Sequence, residues 1–218
     1  MDFNIKEQII PYGVLTVIVL LAFYAIYFTK MFLQKKRGIK TDQIGSVKER
    51  KIHIIETLMA TATYTVVAAE LFSVGTGWNY MPHGVRTAGA VLGFIGDAVF
   101  FLAVFCMRDS WRAGIPEKDK TDLVTRGIYM VSRNPAFLGF DLMYIGVFLM
   151  YGNPVSGAFS LFAIVMLHLQ ILQEEKFMER TFGEEYLRYK ARVCRYLGRK
   201  PARRAVRKTE SNHEENCR

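Results

Sequence analysis

Cysteine is scarce in this chain and is arranged in no recognisable pattern. The 218 residues include three cysteines, Cys106, Cys194 and Cys217, and none of them belongs to a Cys-x-x-Cys pair. Scattered cysteines of odd number support neither a disulfide framework nor a cysteine-ligated metal site. No internal repeat of fixed period is visible either, although pseudo-repeated halves are typical of many transporters. We therefore expect no metal site and no transporter built from repeats.

Long apolar runs dominate the sequence. A helix that crosses a bilayer needs about 20 mostly apolar residues. Candidate runs cover roughly residues 10 to 33, 55 to 74, 85 to 107, 136 to 151 and 155 to 173. The last two are slightly short and are separated only by Gly152-Asn153-Pro154, which predicts a tight helical hairpin. The sequence therefore predicts an all-α, polytopic membrane protein with about five transmembrane helices.

Basic residues are concentrated in some connections and rare in others. The loop after the first run is rich in them, whereas the connection between the second and third runs offers only Arg86. Positively charged loops mark the cytoplasmic side of a membrane. The pattern predicts five spans with the N-terminus outside and the C-terminus in the cytoplasm. The residues that set this orientation are Lys30, Lys35, Lys36, Arg37, Lys40, Lys48, Arg50, Lys51, Arg108, Arg112, Lys118, Lys120, Arg126 and Arg133.

The net charge of +9 is compatible with nucleic-acid binding by its sign alone. The basic residues, however, lie next to span ends, where anionic lipid attracts each of them by about 1 kcal/mol. We therefore expect a membrane partner and no nucleic acid. The Gly89 and Gly93 pair in the third run matches Gly-x-x-x-Gly, which fits either close packing on a neighbouring helix or a homodimer seam. The sequence leaves the oligomeric state open.

The charge pattern divides the chain into three parts. Residues 1–107 would hold three transmembrane helices and a basic cytoplasmic loop, residues 108–198 a functional core, and residues 199–218 a disordered charged tail. At the end of the core, aromatic and apolar side chains recur every three to five positions over residues 174–198. This spacing predicts a cytoplasmic amphipathic helix, interrupted by a turn or break at Gly183.

Several short motifs follow one another in the predicted core. They are Gly127-Ile-Tyr129, Arg133-Asn-Pro135-Ala-Phe-Leu-Gly139, the Asn153-Pro154 turn, Glu174-Glu175, Phe182-Gly183, Tyr186, Tyr189 and Arg195. Their order and spacing resemble the isoprenylcysteine carboxyl methyltransferase family, in which Gly-Ile-Tyr precedes Arg-His-Pro-x-Tyr-x-Gly, a hairpin, Glu-Glu and a terminal Arg. The resemblance covers about residues 108–198.

This resemblance implies a cofactor and a class of substrate. Members of the family use S-adenosylmethionine, bind it on the cytoplasmic side near the end of the hairpin, and methylate lipophilic substrates that enter from the bilayer. An isoprenylcysteine-like carboxylate or another small lipophile would then be the acceptor. Phospholipid N-methylation is the alternative within enzymes, because lipid methyltransferases share the hairpin and the Glu-Glu ending. A non-catalytic membrane scaffold is the alternative from another class.

The residues themselves fit such a cofactor, which carries a carboxylate, an ammonium, a sulfonium and an adenine. Arg133 or Arg195 would pair with the carboxylate. Glu174 or Glu175 would meet the ammonium or the ribose, and the start of the predicted helix at Pro135 would offer unpaired N–H groups. We expect Arg133 and Glu175 to be catalytic. The predicted cofactor-binding residues are Tyr129, Arg133, Asn134, Pro135, Phe137, Gly139, Glu174, Glu175, Tyr186 and Arg195.

Two positions depart from the family pattern. Asn134 replaces the usual His, and Gln170 stands where eukaryotic members have an Arg, which removes a cation that could hold an acidic acceptor. We place Gln170, His168 and Arg112 near the substrate. Three of the predicted site residues also have a simpler structural interpretation. These are Arg133 as an anchor at the span end, Arg112 as the neighbour of an interfacial Trp, and His168 as a packed side chain. Because adjacent helical residues point about 100° apart, we expect only one of Glu174 and Glu175 to face the site.

Overall fold

The computed structural model describes residues 3–44, 49–115 and 121–201, and it is all-helical apart from short turns and isolated bridges. Its α-helices are α1 (Phe3–Lys36), α2 (Arg50–Thr76), α3 (His83–Met107), α4 (Pro135–Tyr151) and α5 (Pro154–Arg192). Short 3₁₀ turns occupy Arg108–Ser110 and Gly127–Met130. The predicted all-α class is confirmed for this part of the chain. The positions Lys48, Lys118 and Lys120, and residues 202–218 of the predicted tail, lie outside the described residues.

Four of these helices are long and apolar enough to cross a membrane: α1, α2, α3 and α5. The fourth helix, α4, has 17 residues and is apolar but shorter. At 1.5 Å per residue it extends about 25 Å, which is close to the thickness of the hydrocarbon core. The chain is therefore a polytopic helical membrane protein, whereas the fifth span and the orientation remain predictions.

The turn between α4 and α5 forms the tight hairpin that the sequence predicts. Asn153 begins α5 with a capping box: its side chain accepts hydrogen bonds from the amides of Val155 and Ser156, and Ser156 accepts one from the Asn153 amide. The side-chain Nδ2 of Asn153 also donates a hydrogen bond to the Ser73 hydroxyl of α2 over 2.7 Å. This end of the hairpin is therefore fixed to α2 as well as capped.

The last helix differs from the prediction at its end. An amphipathic helix leaving the last span was predicted over residues 174–198. The helix α5 continues from the apolar span into this segment through a kink at Gly183, and it ends at Arg192. Gly183 has φ 50° and ψ −126°, so the predicted break at this residue is confirmed. Residues 194–198 leave the helix because Cys194, Arg195 and Gly198 form backbone hydrogen bonds with residues 131–134. Arg199, assigned to the disordered tail, forms an isolated bridge with Val193.

The most extensive helix contact joins α3 and α4. Gly89, Gly93 and Gly96 of α3 face Gly139 and Gly146 of α4, with the backbones in direct contact. A Cβ atom added to Gly146 would lie 2.4 Å from the amide nitrogen of Gly93. The Gly-x-x-x-Gly match therefore serves helix packing within the chain. This contact positions the start of α4, and Arg133 and Asn134 lie immediately before that start. The boundary predicted after residue 107 coincides with the end of α3, but the division into parts remains a prediction.

Candidate functional site

A closing segment, residues 193–199, brings the chain after α5 back to the start of α4. The amides of Arg133 and Asn134 donate to the carbonyls of Cys194 and Arg195 over 3.1 and 3.2 Å, and the Gly198 amide donates to Val131 over 2.7 Å. The Tyr189 hydroxyl donates to the Tyr129 carbonyl at 2.7 Å, close to the same point. These bonds place Arg195 beside the Arg-Asn-Pro motif, although the two lie far apart in sequence.

Arg133 and Glu175 form a buried ion pair at this junction. Arg133 Nη2 and Nε donate to Glu175 Oε1 over 2.6 and 3.2 Å, and the two side chains are 3% and 4% exposed. Arg133 Nη1 donates to the Val193 carbonyl over 2.6 Å. Because removing one partner of such a pair leaves an uncompensated buried charge, each side chain fixes the position of the other.

Arg195 and Asn134 complete an ion-pair cluster with Arg133 and Glu175. Arg195 Nη2 donates to Glu175 Oε2 over 2.9 Å, and Asn134 Nδ2 donates to Glu175 Oε1 over 3.2 Å. The hydrogen bond from Arg195 to the Glu175 carboxylate raises the pKa of Arg195. Two guanidinium groups thus face one carboxylate. Arg195 Nε is buried and has no hydrogen-bond partner within the described residues, so the cluster keeps a donor for a further anion.

A cavity of about 190 Å³ opens beside this cluster. Its polar end is formed by the cluster residues Arg133, Asn134 and Glu175, together with Glu174, and its apolar end extends between the membrane helices. Aromatic side chains make up much of the wall: Tyr24, Tyr27, Phe28, Tyr64, Phe100, Trp111, Tyr129, Phe137, Phe140, Tyr186 and Tyr189. Burial raises the pKa of Tyr129, so this hydroxyl stays protonated. The cavity therefore joins a charged end to an apolar aromatic one.

Both members of the Glu pair line the cavity, so the prediction that only one of them faces the site was wrong. Glu174 accepts a hydrogen bond from Gln170 Nε2 over 3.1 Å. No cation lies within ion-pair distance of Glu174 among the described residues. Gln170 is fully buried, and its Oε1 has no hydrogen-bond partner there.

Eight of the residues predicted for the site line the cavity, and five do not. The lining residues are Arg112, Tyr129, Arg133, Asn134, Phe137, Glu174, Glu175 and Tyr186. Arg195 belongs to the ion-pair cluster, and Gln170 bonds to Glu174 from behind the wall. Pro135 is the first residue of α4, and Asn134 directs its side chain to Glu175 instead of capping that helix.

Gly139 and His168 have surroundings of a different kind. A Cβ atom on Gly139 would lie 2.8 Å from Phe100 Cβ, so this glycine is part of the α3–α4 contact. His168 forms a 2.7 Å hydrogen bond with the Tyr196 hydroxyl of the closing segment. Neither residue lines the cavity, so a direct ligand contact of either residue remains a prediction.

Some of the lining residues escaped the sequence analysis. Tyr24 and Tyr27 of α1 and Tyr64 of α2 belong to the aromatic wall, and Gly114 closes it from a loop. Tyr24 and Tyr27 are three positions apart, which places them on one face of a helix. The same spacing is typical of ordinary packing, so only the assembled bundle distinguishes the two uses.

These features define a class: a polytopic helical membrane protein with a buried cationic cluster at the mouth of an aromatic cavity between its helices. The model of the phospholipid methyltransferase family matches residues 86–185. This segment holds most of α3, all of α4, the Arg-Asn-Pro motif and the Glu pair. This segment, just under half of the chain, is similar to that family of membrane methyltransferases, and the resemblance predicted from the sequence is confirmed.

Curated relatives point the same way. A probable protein-S-isoprenylcysteine O-methyltransferase from Oryza sativa subsp. indica is 33% identical over 112 residues, which is 50% of this chain and 59% of the relative. The protein-S-isoprenylcysteine O-methyltransferase of Saccharomyces cerevisiae is 32% identical over 108 residues, 48% of this chain and 45% of the relative. That of Rattus norvegicus is 30% identical over 113 residues, 50% and 39% respectively. The chain spans about half the length of the curated relatives it matches.

Proposed function

We propose that this chain is an integral membrane methyltransferase that uses S-adenosylmethionine and acts on a lipophilic acceptor. An isoprenylcysteine-like carboxylate or another small lipophile is the acceptor that the relatives suggest. One observation carries the proposal: the ion-pair cluster of Arg133, Asn134, Glu175 and Arg195 lies at the end of a cavity whose other end is aromatic and enclosed by membrane helices. A charged methyl donor and an apolar acceptor could meet there.

The residues present fit the cofactor. The cluster has two guanidinium groups and one carboxylate, so one positive charge is left for the cofactor's carboxylate. Arg195 Nε supplies an N–H that no described residue uses. Tyr129, Phe137 and Tyr186 offer aromatic surface for the adenine. Since Glu175 is already bonded to Arg133, Asn134 and Arg195, we assign it to holding these donors in place.

The bound cofactor would supply an electrophilic methyl group on a sulfonium. The chain's own contribution is then to hold two reactants in line and to exclude water, which can account for much of the acceleration of a displacement. Arg133 and Arg195 would fix the polar end of the donor. The aromatic wall would hold the apolar acceptor, and the closing segment would cover the cluster on the side of the chain end.

The placement in the membrane follows from charge. We propose five spans, with the N-terminus outside and with the cluster and the C-terminus in the cytoplasm. The basic residues at the ends of α1 and α3, including Lys35, Lys36 and Arg112, support this orientation. Residues 108–198 would form the methyltransferase core, which rests on α3.

Calorimetric titration of the detergent-purified protein with S-adenosylhomocysteine tests this function without a known acceptor. We expect saturable binding that Arg133→Ala and Arg195→Ala each weaken about tenfold or more, because each removes a charge-assisted donor. Arg195 is 34% exposed at its side chain, so its loss should disturb the fold less than the loss of Arg133. Arg188→Ala is the matched control, since Arg188 lies on the exposed face of α5.

Two results would contradict the proposal. One is the absence of any binding by wild-type protein that is monodisperse and has a cooperative melting transition, which would favour the non-catalytic scaffold. The other is equal weakening by Arg188→Ala and Arg195→Ala, which would mean that net charge rather than the cluster governs the affinity.

A further inference from the structure

We propose that a groove at the C-terminal end of α1 binds one anionic phospholipid of the surrounding bilayer, with Lys35 and Lys40 on its phosphate. The groove is open and has a volume of about 810 Å³. It contains no residue of the ion-pair cluster, and the proposed methyl transfer does not use its lysines. The inference therefore concerns a second, non-catalytic site, and it does not depend on the proposed function.

A tight turn after α1 gives the groove its shape. Gly38 has φ 75°, a left-handed conformation that glycine adopts without strain. The Gly38 amide donates to the Lys35 carbonyl and the Ile39 amide to the Gln34 carbonyl, both over 3.0 Å. These two bonds close the end of the helix and turn the chain back. Lys35 before the turn and Lys40 after it consequently line the same groove.

The turn is also fixed to the segment that follows α3. The buried side chain of Gln34 accepts a hydrogen bond from the Thr41 hydroxyl over 2.7 Å and donates one to the Trp111 carbonyl over 3.1 Å. The Gln43 amide donates to the Ala113 carbonyl over 2.8 Å, and the Ala113 amide donates to the Thr41 carbonyl over 3.1 Å. The groove is therefore preformed, unlike a flexible basic loop that contacts lipid only through its net charge.

The lysines of the groove are available to an anion. Both Lys35 and Lys40 are exposed, and among the described residues no carboxylate lies within ion-pair distance of either ammonium group. Arg37, which lies between them in the sequence, is different. Its Nη1 donates to Asp109 Oδ1 over 2.8 Å, so its charge is already paired. The turn thus separates a paired cation from two lysines that face the groove.

The charge of the groove favours an anionic headgroup over a zwitterionic one. Asp42 also lines the groove, but its Oδ1 accepts a hydrogen bond from the Ile44 amide over 3.0 Å. Lys36 adds a further positive charge, since its Nζ lies 4.5 Å from the centroid of the Phe32 ring in the groove wall. Lysines therefore outnumber the carboxylate in and beside the groove. The ammonium of a zwitterionic headgroup would meet like charges there.

The other wall of the groove is apolar and indicates a lipid rather than a soluble phosphate. Phe28, Met31 and Phe32 lie three to four positions apart on α1, so they share one face of the helix. Phe28 is 50% exposed and Phe32 is 55% exposed. Phe28 lies seven residues before Lys35, which is about 10 Å along the helix axis. A phosphate on the lysines would leave an acyl chain lying along these side chains, whereas free phosphate would leave them uncovered.

Native mass spectrometry of the detergent-purified chain tests the inference. The probes are dioleoyl-phosphatidylglycerol and dioleoyl-phosphatidylcholine, which have the same acyl chains and differ in headgroup charge. We expect the wild-type protein to retain one phosphatidylglycerol with an affinity about tenfold higher than that for phosphatidylcholine. The physical reason is that each lysine at a membrane surface favours anionic lipid by about fivefold.

Paired variants distinguish the groove from net charge. Lys35→Gln/Lys40→Gln should lower the affinity for phosphatidylglycerol about tenfold and remove the preference over phosphatidylcholine. Arg50→Gln/Lys51→Gln is the matched control, because it removes two charges from exposed positions at the start of α2 that do not line the groove. This control should keep the preference within twofold. Lys35→Arg/Lys40→Arg retains both charges and should keep it as well.

A competition experiment identifies the source of the phosphate. Glycerol 3-phosphate in large excess should leave the retained phosphatidylglycerol in place, because it offers nothing to the apolar wall. Its displacement of the lipid would mean a site for soluble phosphate esters and would overturn the lipid assignment. Equal retention of the two lipids by the wild-type protein, or equal losses in the two Gln double variants, would overturn the site itself. The titration contains no S-adenosylhomocysteine, so neither outcome depends on the proposed function.

Discussion

The two sides of the helix bundle are built by opposite rules. On one side the backbones of α3 and α4 are in direct contact, and the glycines that allow this are Gly89, Gly93, Gly96, Gly139 and Gly146. On the other side α1 and α2 make few contacts with each other, and their tyrosines line the cavity together with residues of α4 and α5. Small residues let backbones approach, whereas large aromatic ones hold helices apart.

This difference between the two sides assigns support of the helices to the α3–α4 contact and ligand binding to the α1–α2 side. The α3–α4 contact leaves no room for a ligand, and it fixes the start of α4, from which Arg133 and Asn134 extend to Glu175. The α1–α2 side tolerates a space because its walls are aromatic and partly exposed to lipid; Tyr64 is 62% exposed. Function is therefore expected on the side where large aromatic side chains line a cavity, with its charged residues anchored at the start of a helix in the closest contact.

The largest effect should come from breaking the close side. Gly146→Val would place side-chain atoms against the Gly93 backbone, where even a Cβ lies at 2.4 Å. The helices would have to separate, and overpacking of this kind costs about 3 kcal/mol at the upper end of the usual range. We expect a marked fall in melting temperature. Gly84→Val is the control, since a Cβ on Gly84 meets no atom within 4 Å. Equal melting of the two variants would mean that the contact is not rigid.

A smaller effect is expected from the ion-pair cluster. Arg133→Met leaves the buried Glu175 with Arg195 as its only cation, and we expect a loss of about 2 kcal/mol, less than for a pair left with no compensation. The double variant Arg133→Met/Glu175→Gln removes the unpaired charge and should recover about 1 kcal/mol of that loss. Thermal unfolding of the single and double variants measures this. A double variant less stable than Arg133→Met would show that the pair stabilises the fold in its own right.

Much of the fold follows from apolar run length, and less of the site follows from motif order. The runs predict the bounds of α3 and α4 within two residues, whereas α1 and α2 begin seven and five residues before the predicted runs. The hairpin follows from Gly152-Asn153-Pro154. The end of α5 at Arg192 instead of residue 198 was missed because residues 194–198 form backbone hydrogen bonds with residues 131–134, which side-chain spacing does not reveal. The α3–α4 contact shows the same ambiguity, since Gly139 reads equally as a ligand contact or a packing residue until its neighbours are known.

The cluster itself depends on bonds that the sequence does not reveal. Arg195 reaches Glu175 because backbone groups of residues 193–198 bond to residues 131–134, and such bonds depend little on side-chain identity. The aromatic wall combines residues from five helices, and spacing along one helix does not indicate which of them meet. Arg133 and Glu175 were identified through motif order, whereas their direct contact required the folded chain.

The smallest effect should come from Tyr196→Phe, which tests how the closing segment is held against α5. The Tyr196 hydroxyl bonds to His168 Nδ1 over 2.7 Å, and the two rings also stack with their centroids 6.0 Å apart. Phenylalanine keeps the ring and removes one hydrogen bond, so we expect a loss of about 1 kcal/mol in thermal unfolding. Tyr80→Phe, at a residue that is 68% exposed, controls for the loss of a hydroxyl. Because His168 does not line the cavity, S-adenosylhomocysteine affinity should change less than twofold. A tenfold loss of that affinity in Tyr196→Phe would instead make the closing segment part of the binding site, since Arg195 is the residue next to Tyr196 in it.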